Sequence, residues 1–174
     1  MNNLRMIGIL ATLVIGLTLA SCAGAPKAHD FSQGPLVDEL ADYSLMTAYS
    51  ETELRIDGAN AAVFGGDATR VCRTADTEAF LLYELRGAGK VSVETWFWAN
   101  EDITDFEILV GKDRYSLAPF TPERKLTPAS GLIWNNVLYT CTGFPAGTTV
   151  LKIVFKHKSA QNYWNPQLGR VTFE

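Results

Sequence analysis

Apolar and polar residues alternate along the segment Lys90–Trp98. One face would carry Val91, Val93, Thr95 and Phe97, and the other Ser92, Glu94, Trp96 and Trp98. A period of two residues is the pattern of a β-strand with one face buried in a sheet. The segment therefore predicts a long strand whose second face presents two tryptophans.

Short runs rich in strand-forming residues recur along the chain, separated by glycine, proline and aspartate turns. The further candidate strands are residues 45–49, 53–57, 70–74, 79–85, 105–110, 137–142, 149–155 and 168–173. In residues 149–155, valines share the side of Lys152, so both faces of that strand should be partly covered. The only helical turn is predicted at residues 36–43. Many short strands with little helix predict an all-β fold, a jelly-roll β-sandwich of two antiparallel sheets.

The N-terminal segment has a different composition. Arg5 precedes an uncharged apolar run, residues 6–20, which ends in Leu19-Ala20-Ser21-Cys22. This is the pattern of an export signal, and the run is shorter than the roughly 20 residues that span a bilayer. The ending resembles a bacterial lipobox, which implies cleavage before Cys22, acylation of its thiol by palmitate-type chains, and anchoring outside the cytoplasmic membrane. The alternative is an ordinary secretory signal with a cysteine beside the cut.

The chain then divides into a signal peptide at residues 1–21, a flexible tether at 22–35 and one domain at 36–174. Small residues, glycine and proline dominate the tether, as in a spacer between lipid and domain. A domain of this size buries its own core, and we expect a monomer. The net charge of −4 argues against nucleic acid as a partner, because binding to phosphates needs a basic surface.

Cys72 and Cys141 remain if Cys22 is acylated. Two cysteines in an exported protein favour a disulfide, since that compartment is oxidising. The alternative is a pair of buried free thiols. Neither cysteine has a second cysteine or a histidine at metal-ligand spacing, which argues against a zinc site.

Several blocks of the sequence carry a pattern shared by one group of domains. These blocks are Val-Asp-Glu-Leu-Ala-Asp-Tyr-Ser at 37–44, Gly-Asp-Ala-Thr-Arg-Val-Cys-Arg at 66–73, Leu-Lys-Ile-Val-Phe at 151–155 and Trp-Asn-Pro-Gln-Leu-Gly-Arg-Val at 164–171. They resemble the galactose-binding-like β-sandwiches, jelly-roll modules often found as carbohydrate-binding modules in bacterial glycan-degrading proteins. The resemblance covers residues 36–174 and implies the fold. It does not identify the ligand, because one fold hosts many functions.

Trp96 and Trp98 form the first candidate binding surface, with Glu94 beside them on the same strand face. Sugar rings have apolar C–H faces that stack on indoles, and a carboxylate accepts hydrogen bonds from sugar hydroxyls. The three residues therefore predict a glycan platform. The alternative is that both tryptophans pack under loops or between the sheets.

A second set of candidates lies between strands, where ligand-contacting residues are common. It combines aromatic with amide side chains, as sugar sites do, and consists of Trp134, Asn135, Tyr163, Trp164 and Asn165. For Trp164 the alternative is a structural plug that closes one end of the sandwich.

The resemblance also implies a structural calcium ion where the start and end of the domain meet, near Asp38 and Glu174, with Asp42 and Asp67 as further oxygen donors. Calcium takes six to eight oxygen ligands, and no spacing here resembles an EF-hand loop. The alternative is that these acids are solvated or form turns. No other cofactor is expected.

The sequence lacks the HExxH, GxSxG, GxGxxG and P-loop motifs, and no pair of carboxylates stands out as a glycosidase pair. We expect no enzymatic activity. The leading hypothesis is a membrane-anchored lipoprotein that binds a poly- or oligosaccharide at the cell surface. The alternative is a structural or protein-interaction lipoprotein of the envelope that has lost sugar binding, which predicts an exposed apolar patch.

Overall fold

A computed structural model describes residues 28–98, 106–127, 134–156 and 166–174. Within these ranges the chain forms strands and two 3₁₀ turns, Phe31–Gln33 and Ala61–Phe64. The strands are β1 Leu36–Asp38, β2 Ala48–Tyr49, β3 Leu54–Asp57, β4 Arg70–Arg73, β5 Ala79–Glu84, β6 Lys90–Trp98, β7 Phe106–Gly111, β8 Leu117–Phe120, β9 Glu123–Thr127, β10 Trp134–Thr142, β11 Val150–Phe155 and β12 Gln167–Phe173.

The strands form two sheets in which every neighbouring pair is antiparallel. The seven-stranded sheet has the order β3-β4-β12-β6-β10-β9, with β1 also paired to β12. The five-stranded sheet has the order β2-β5-β11-β7-β8. This architecture confirms the predicted all-β sandwich. No helix in the described ranges has the length and apolar character that crossing a membrane requires.

The main core lies between the two sheets. On β6 the inward positions Val91, Val93 and Phe97 are buried, as the alternation of this strand predicts. The five-stranded sheet faces them with residues such as Leu81 and Ile153. Each such side chain contributes about 1.5–3 kcal/mol of hydrophobic stabilisation. A register slip of one residue would expose these side chains to solvent, so their burial fixes the register of each strand.

Strand β11 is covered on both faces, as predicted. Leu151 and Ile153 point into the core, and Val150 and Val154 on the other face are also buried. Val154 lies between Phe80 on β5 and Glu107 on β7. A central strand is flanked on both edges, so even its outward valines lose most of their exposure.

The predicted helical turn at residues 36–43 is wrong. Leu36–Asp38 is a strand whose residues pair with β12, from Leu36 opposite Phe173 to Asp38 opposite Val171. The chain then bends at Leu40, whose φ of 56° is left-handed and whose amide donates to Asp38 Oδ1 at 2.9 Å. Residues 36–38 are extended because they pair with β12 at the far end of the chain. The local sequence pattern contains no signal for this long-range pairing.

The predicted disulfide between Cys72 and Cys141 is not formed, and both are buried free cysteines. They lie on β4 and β10 of the same sheet, with β12 and β6 between them. Three strand spacings of about 4.8 Å separate their backbones by roughly 14 Å, whereas a disulfide needs Cα atoms within about 7 Å. Burial raises the pKa of both thiols, that of Cys141 to about 12.

Part of the predicted tether contacts the domain. Phe31 packs against the main core, and the His29 amide donates to the Arg86 carbonyl at 3.3 Å. The predicted signal peptide, residues 1–21, and Cys22 lie outside the described residues.

Candidate functional site

A second hydrophobic cluster lies on the outer face of the seven-stranded sheet. Trp98 on β6 pairs directly with Trp134 on β10, so both indoles project from the same face, and their ring centroids are 5.3 Å apart at 89°. The 3₁₀ turn Ala61–Phe64 crosses this face and places Phe64 4.8 Å from Trp134. Trp96 and Trp134 are 7% and 5% exposed, and Trp98 is half-buried.

Left-handed residues on both sides of this turn allow its close approach. Asn60 has φ 56° and Gly65 has φ 65°. A Cβ at position 65 would lie 3.1 Å from Trp96 Cη2, so a larger residue would press on the indole as well as strain the backbone. Glycine therefore lets the chain rest on the Trp96 ring.

Asp67 ties the end of this loop to β6. Trp96 Nε1 donates to Asp67 Oδ2 at 3.1 Å, and the Thr69 amide donates to Asp67 Oδ1 at 3.0 Å. Burial raises the pKa of Asp67, although both hydrogen bonds act in the opposite direction. The indole N–H of Trp96 is thereby satisfied inside the protein, which fixes the loop over the cluster.

Arg70 on β4 also holds the loop that carries Phe64. Its Nε donates to Gln167 Oε1 at 2.9 Å and its Nη2 to the Ala59 carbonyl at 2.6 Å, and its Nη1 donates to the Asp67 carbonyl. The guanidinium carbon lies 3.7 Å from the centroid of the Phe64 ring. Arg70 is only 1% exposed, and burial lowers its pKa.

A groove of about 320 Å³ opens beside the cluster, and we call it the tryptophan groove. It is lined by Arg55, Asp57, Ala59, Asn60, Val63, Phe64, Arg70, Trp98, Trp134 and Gln167. Arg55 Nη2 donates to Asp57 Oδ2 at 3.1 Å across its rim. Aromatic and aliphatic walls thus meet a rim of amide, carboxylate and guanidinium groups, the general composition of a small-ligand site.

A second depression lies on the same sheet face and is polar throughout except for Leu138; we call it the sheet-face trough. Its other lining residues are Ser92, Glu94, Lys125, Thr127, Asn136, Arg170 and Thr172. Asn136 Nδ2 donates to Glu94 Oε1 at 2.9 Å, and Arg170 lies 3.7 Å from Glu94 and 2.8 Å from Glu39. Glu94, Asn136 and Arg170 thus already have hydrogen-bond or ion-pair partners within the protein.

The structure separates the residues of the predicted glycan platform. Trp98 lines the tryptophan groove, Trp96 lies beneath the loop, and Glu94 belongs to the sheet-face trough. Trp134, predicted for a loop, begins β10 and lines the groove, whereas Asn135 pairs with Phe97 and so shares the opposite sheet face. Tyr163, Trp164 and Asn165 lie outside the described residues.

The acids considered for calcium have other partners. Asp38 accepts from Tyr83 Oη at 3.0 Å as well as from the Leu40 amide, and Glu174 pairs with Lys90. Burial raises the pKa of both Asp38 and Tyr83. In the described part of the chain, no three histidine, cysteine or acidic side chains are grouped to hold a metal ion.

Of the ten described residues that line the groove, only Trp98 and Trp134 were predicted as site residues from the sequence. Arg55, Asp57, Asn60, Arg70 and Gln167 lie on three strands and a loop that only the fold brings together. One signal was present: Arg70 lies within a run of strand-forming residues, where a charged side chain needs buried partners. No protein-family model and no curated protein matches this chain.

Proposed function

We propose that the protein is a non-catalytic, lipid-anchored lipoprotein that binds a poly- or oligosaccharide at the cell surface, and that the tryptophan groove is its binding site. The observation that carries this proposal is the half-buried Trp98 indole in a groove with a polar rim. The apolar C–H face of a sugar ring can stack on the indole. Asn60 and Asp57 offer the amide and carboxylate atoms that sugar hydroxyls need.

Aromatic packing and one hydrogen bond hold the binding surface. Trp98 packs on Trp134, Phe64 packs on Trp134 and Trp96, and the Asp67–Trp96 hydrogen bond holds the loop that carries Phe64. A preorganised site loses little side-chain entropy when it binds a ligand. This supports recognition with little conformational change.

The distribution of acids supports a binding role without hydrolysis. Among the described residues, Asp57 is the one carboxylate that lines the tryptophan groove, and Glu94 is the one carboxylate that lines the sheet-face trough. Glycoside hydrolysis needs two carboxyl groups about 5–9.5 Å apart around one glycosidic bond. The described lining of each site supplies one carboxylate, not two.

The protein-interaction alternative has less support. The exposed large hydrophobic residues among those described are Val37, Tyr115 and Leu126. They lie on β1, in the turn between β7 and β8, and on β9, so they form no contiguous apolar patch of the kind that marks a protein interface.

Affinity electrophoresis against a panel of plant, microbial and host polysaccharides tests the proposal. We expect at least one polysaccharide to retard the protein, and Trp98→Ala to weaken that binding by roughly tenfold, since stacking on an indole contributes about 1.5 kcal/mol. Tyr115→Ala is the matched control, because Tyr115 is 81% exposed and far from the groove. No retardation by any polysaccharide, or equal binding by both variants, would contradict the proposal.

The lipid anchor has its own test. Labelled palmitate fed to expressing bacteria should be incorporated into the wild-type chain and not into Cys22→Ala, which should also leave the membrane fraction. Retention of label by the variant would place acylation at a different residue and remove the proposed anchor.

A further inference from the structure

The charge of Arg70 is buried without a carboxylate beside it. The side chain is 1% exposed, and its three hydrogen-bond acceptors are a glutamine amide oxygen and two backbone carbonyls. Among the described residues, the ion pairs formed by arginine and lysine do not include Arg70. The carboxylates of Asp57 and Asp67 act on the pKa of Arg70 by electrostatic attraction and form no ion pair with it.

This arrangement is unusual for a buried arginine. Buried charges are normally paired, because removing a charge from water costs several kcal/mol. The three hydrogen bonds use three of the five N–H groups of the guanidinium. Since Arg70 lines the tryptophan groove, an acceptor that enters the groove comes close to this charge.

Arg55 adds a second positive charge at the rim of the groove. Among the described residues, the charged groups that line the groove are Arg55, Arg70 and Asp57, which gives this described lining one more positive than negative group. The chain as a whole has a net charge of −4. A local positive excess on an acidic protein favours an anionic ligand at this place.

We propose that the ligand of the tryptophan groove is a sugar that carries a carboxylate, of the uronic acid class. Its ring stacks on Trp98, and its carboxylate faces Arg70 and Arg55. A planar guanidinium matches the two oxygens of a carboxylate and forms stronger hydrogen bonds with it than with a neutral hydroxyl. This inference rests on the proposed function and specifies its substrate class.

The test compares polymers that differ only in the carboxylate. Polygalacturonate and alginate are each used beside the same polymer after chemical reduction of its carboxyl groups, which keeps the ring and the linkages. We expect at least one acidic polymer to bind about tenfold or more tightly than its reduced form. Its affinity should fall between about 10 mM and 0.5 M salt, because screening weakens charge pairing.

A matched pair of variants locates the effect. Arg55→Gln should lower affinity for the acidic polymer roughly tenfold, and by a larger factor than it lowers affinity for the reduced polymer. Arg170→Gln is the control: Arg170 does not line the groove, and it is 47% exposed beside 51% for Arg55. Arg55 pairs with Asp57 at 3.1 Å, and Arg170 pairs with Glu39 at 2.8 Å and with Glu94 at 3.7 Å. Arg55 is preferred to the buried Arg70, whose replacement threatens the fold itself.

The outcomes separate this inference from the proposed function. Equal binding of acidic and reduced polymers, binding only to neutral or sulfated glycans, or equal effects of Arg55→Gln and Arg170→Gln would overturn the uronic acid class while leaving carbohydrate binding in place. Failure of every polymer to bind would remove both.

Discussion

Trp96 and Asp67 form the hydrogen bond on which the tryptophan groove depends. The indole Nε1 of Trp96 lies 3.1 Å from Asp67 Oδ2 and joins the outer face of β6 to the end of the loop that follows β3. Because Phe64 in this loop packs on both Trp96 and Trp134, one polar contact holds a wall of the groove. We therefore expect loss of this hydrogen bond to lower both the stability of the fold and the proposed glycan binding.

Removing the carboxylate should loosen the loop. Asp67→Ala leaves the buried Trp96 N–H without its acceptor, and we expect a loss of about 1–3 kcal/mol in the free energy of unfolding. Urea denaturation measures this as a lower midpoint at unchanged slope. Asp42→Ala is the control, since Asp42 also accepts a backbone amide, from Ser44 at 2.8 Å, but is exposed. A midpoint shift no larger than that of Asp42→Ala would show that the hydrogen bond contributes little.

A substitution at Gly169 would disturb the Trp96–Asp67 hydrogen bond by steric contact. A Cβ at this position would lie 2.8 Å from Trp96 Nε1 and closer still to Asp67 Oδ2. Gly169→Ala should therefore separate the pair, destabilise the protein by about 1–3 kcal/mol and weaken glycan binding. Thermal unfolding and affinity electrophoresis check the two effects. Gly89→Ala meets open space and should change stability by less than about 0.5 kcal/mol; equal effects would contradict the steric argument.

Asp38 should give the fold a characteristic pH dependence. Burial raises its pKa above the ordinary 3.8, so the folded state binds this proton more tightly than the unfolded chain. Its contribution to stability is complete below pH 3.8 and is lost as the pH rises through the raised pKa. Asp38→Asn removes this titration, so the variant should gain stability relative to wild type as the pH rises through that window.

Asp42→Asn is the control with the opposite sign. Hydrogen bonds from Ser44 lower the pKa of Asp42, so its contribution is present above pH 3.8 and is lost as the pH falls through the lowered pKa. Relative to wild type, this variant should lose stability with rising pH. Urea midpoints measured across pH 3–7 compare the two, and parallel curves for both variants would exclude the assignment to Asp38.

The two thiols should be inert in the folded protein. In a chain with Cys22→Ser, only Cys72 and Cys141 remain, and both are buried with raised pKa values. Since the thiolate is the reactive form, a thiol reagent should label neither residue until denaturant is added, and then both. Dithiothreitol should leave the unfolding temperature unchanged. A lower unfolding temperature in dithiothreitol would reveal a disulfide that this fold does not accommodate.

The strands that the sequence predicted well are those with a local two-residue period. Lys90–Trp98 was predicted with the bounds that the structure has, since its four inward residues are strand formers, all buried, and three of them belong to the core. The strand Glu123–Thr127 was missed because all five residues are exposed. A polar edge strand is held by backbone pairing with β10, and such pairing leaves no hydrophobic period to detect.

The candidate site was predicted in part. The two-residue alternation of side chains along a strand placed Trp96 and Trp98 on one face, and the structure agrees. This alternation could not predict that the two indoles differ in exposure. The loop that covers Trp96 and leaves Trp98 half-buried comes from a distant part of the chain. The same limit applies to Arg70, whose partner Gln167 is 97 residues away.

The sequence by itself determined the fold class, because alternation of side chains across a pleated strand is a local property that each segment carries alone. The tertiary structure decided which strands are neighbours, that Cys72 and Cys141 are too far apart to bond, and that Phe64, Trp98 and Arg70 meet in one groove. These relationships depend on contacts between segments far apart in the chain, and such contacts form only when the whole core is assembled.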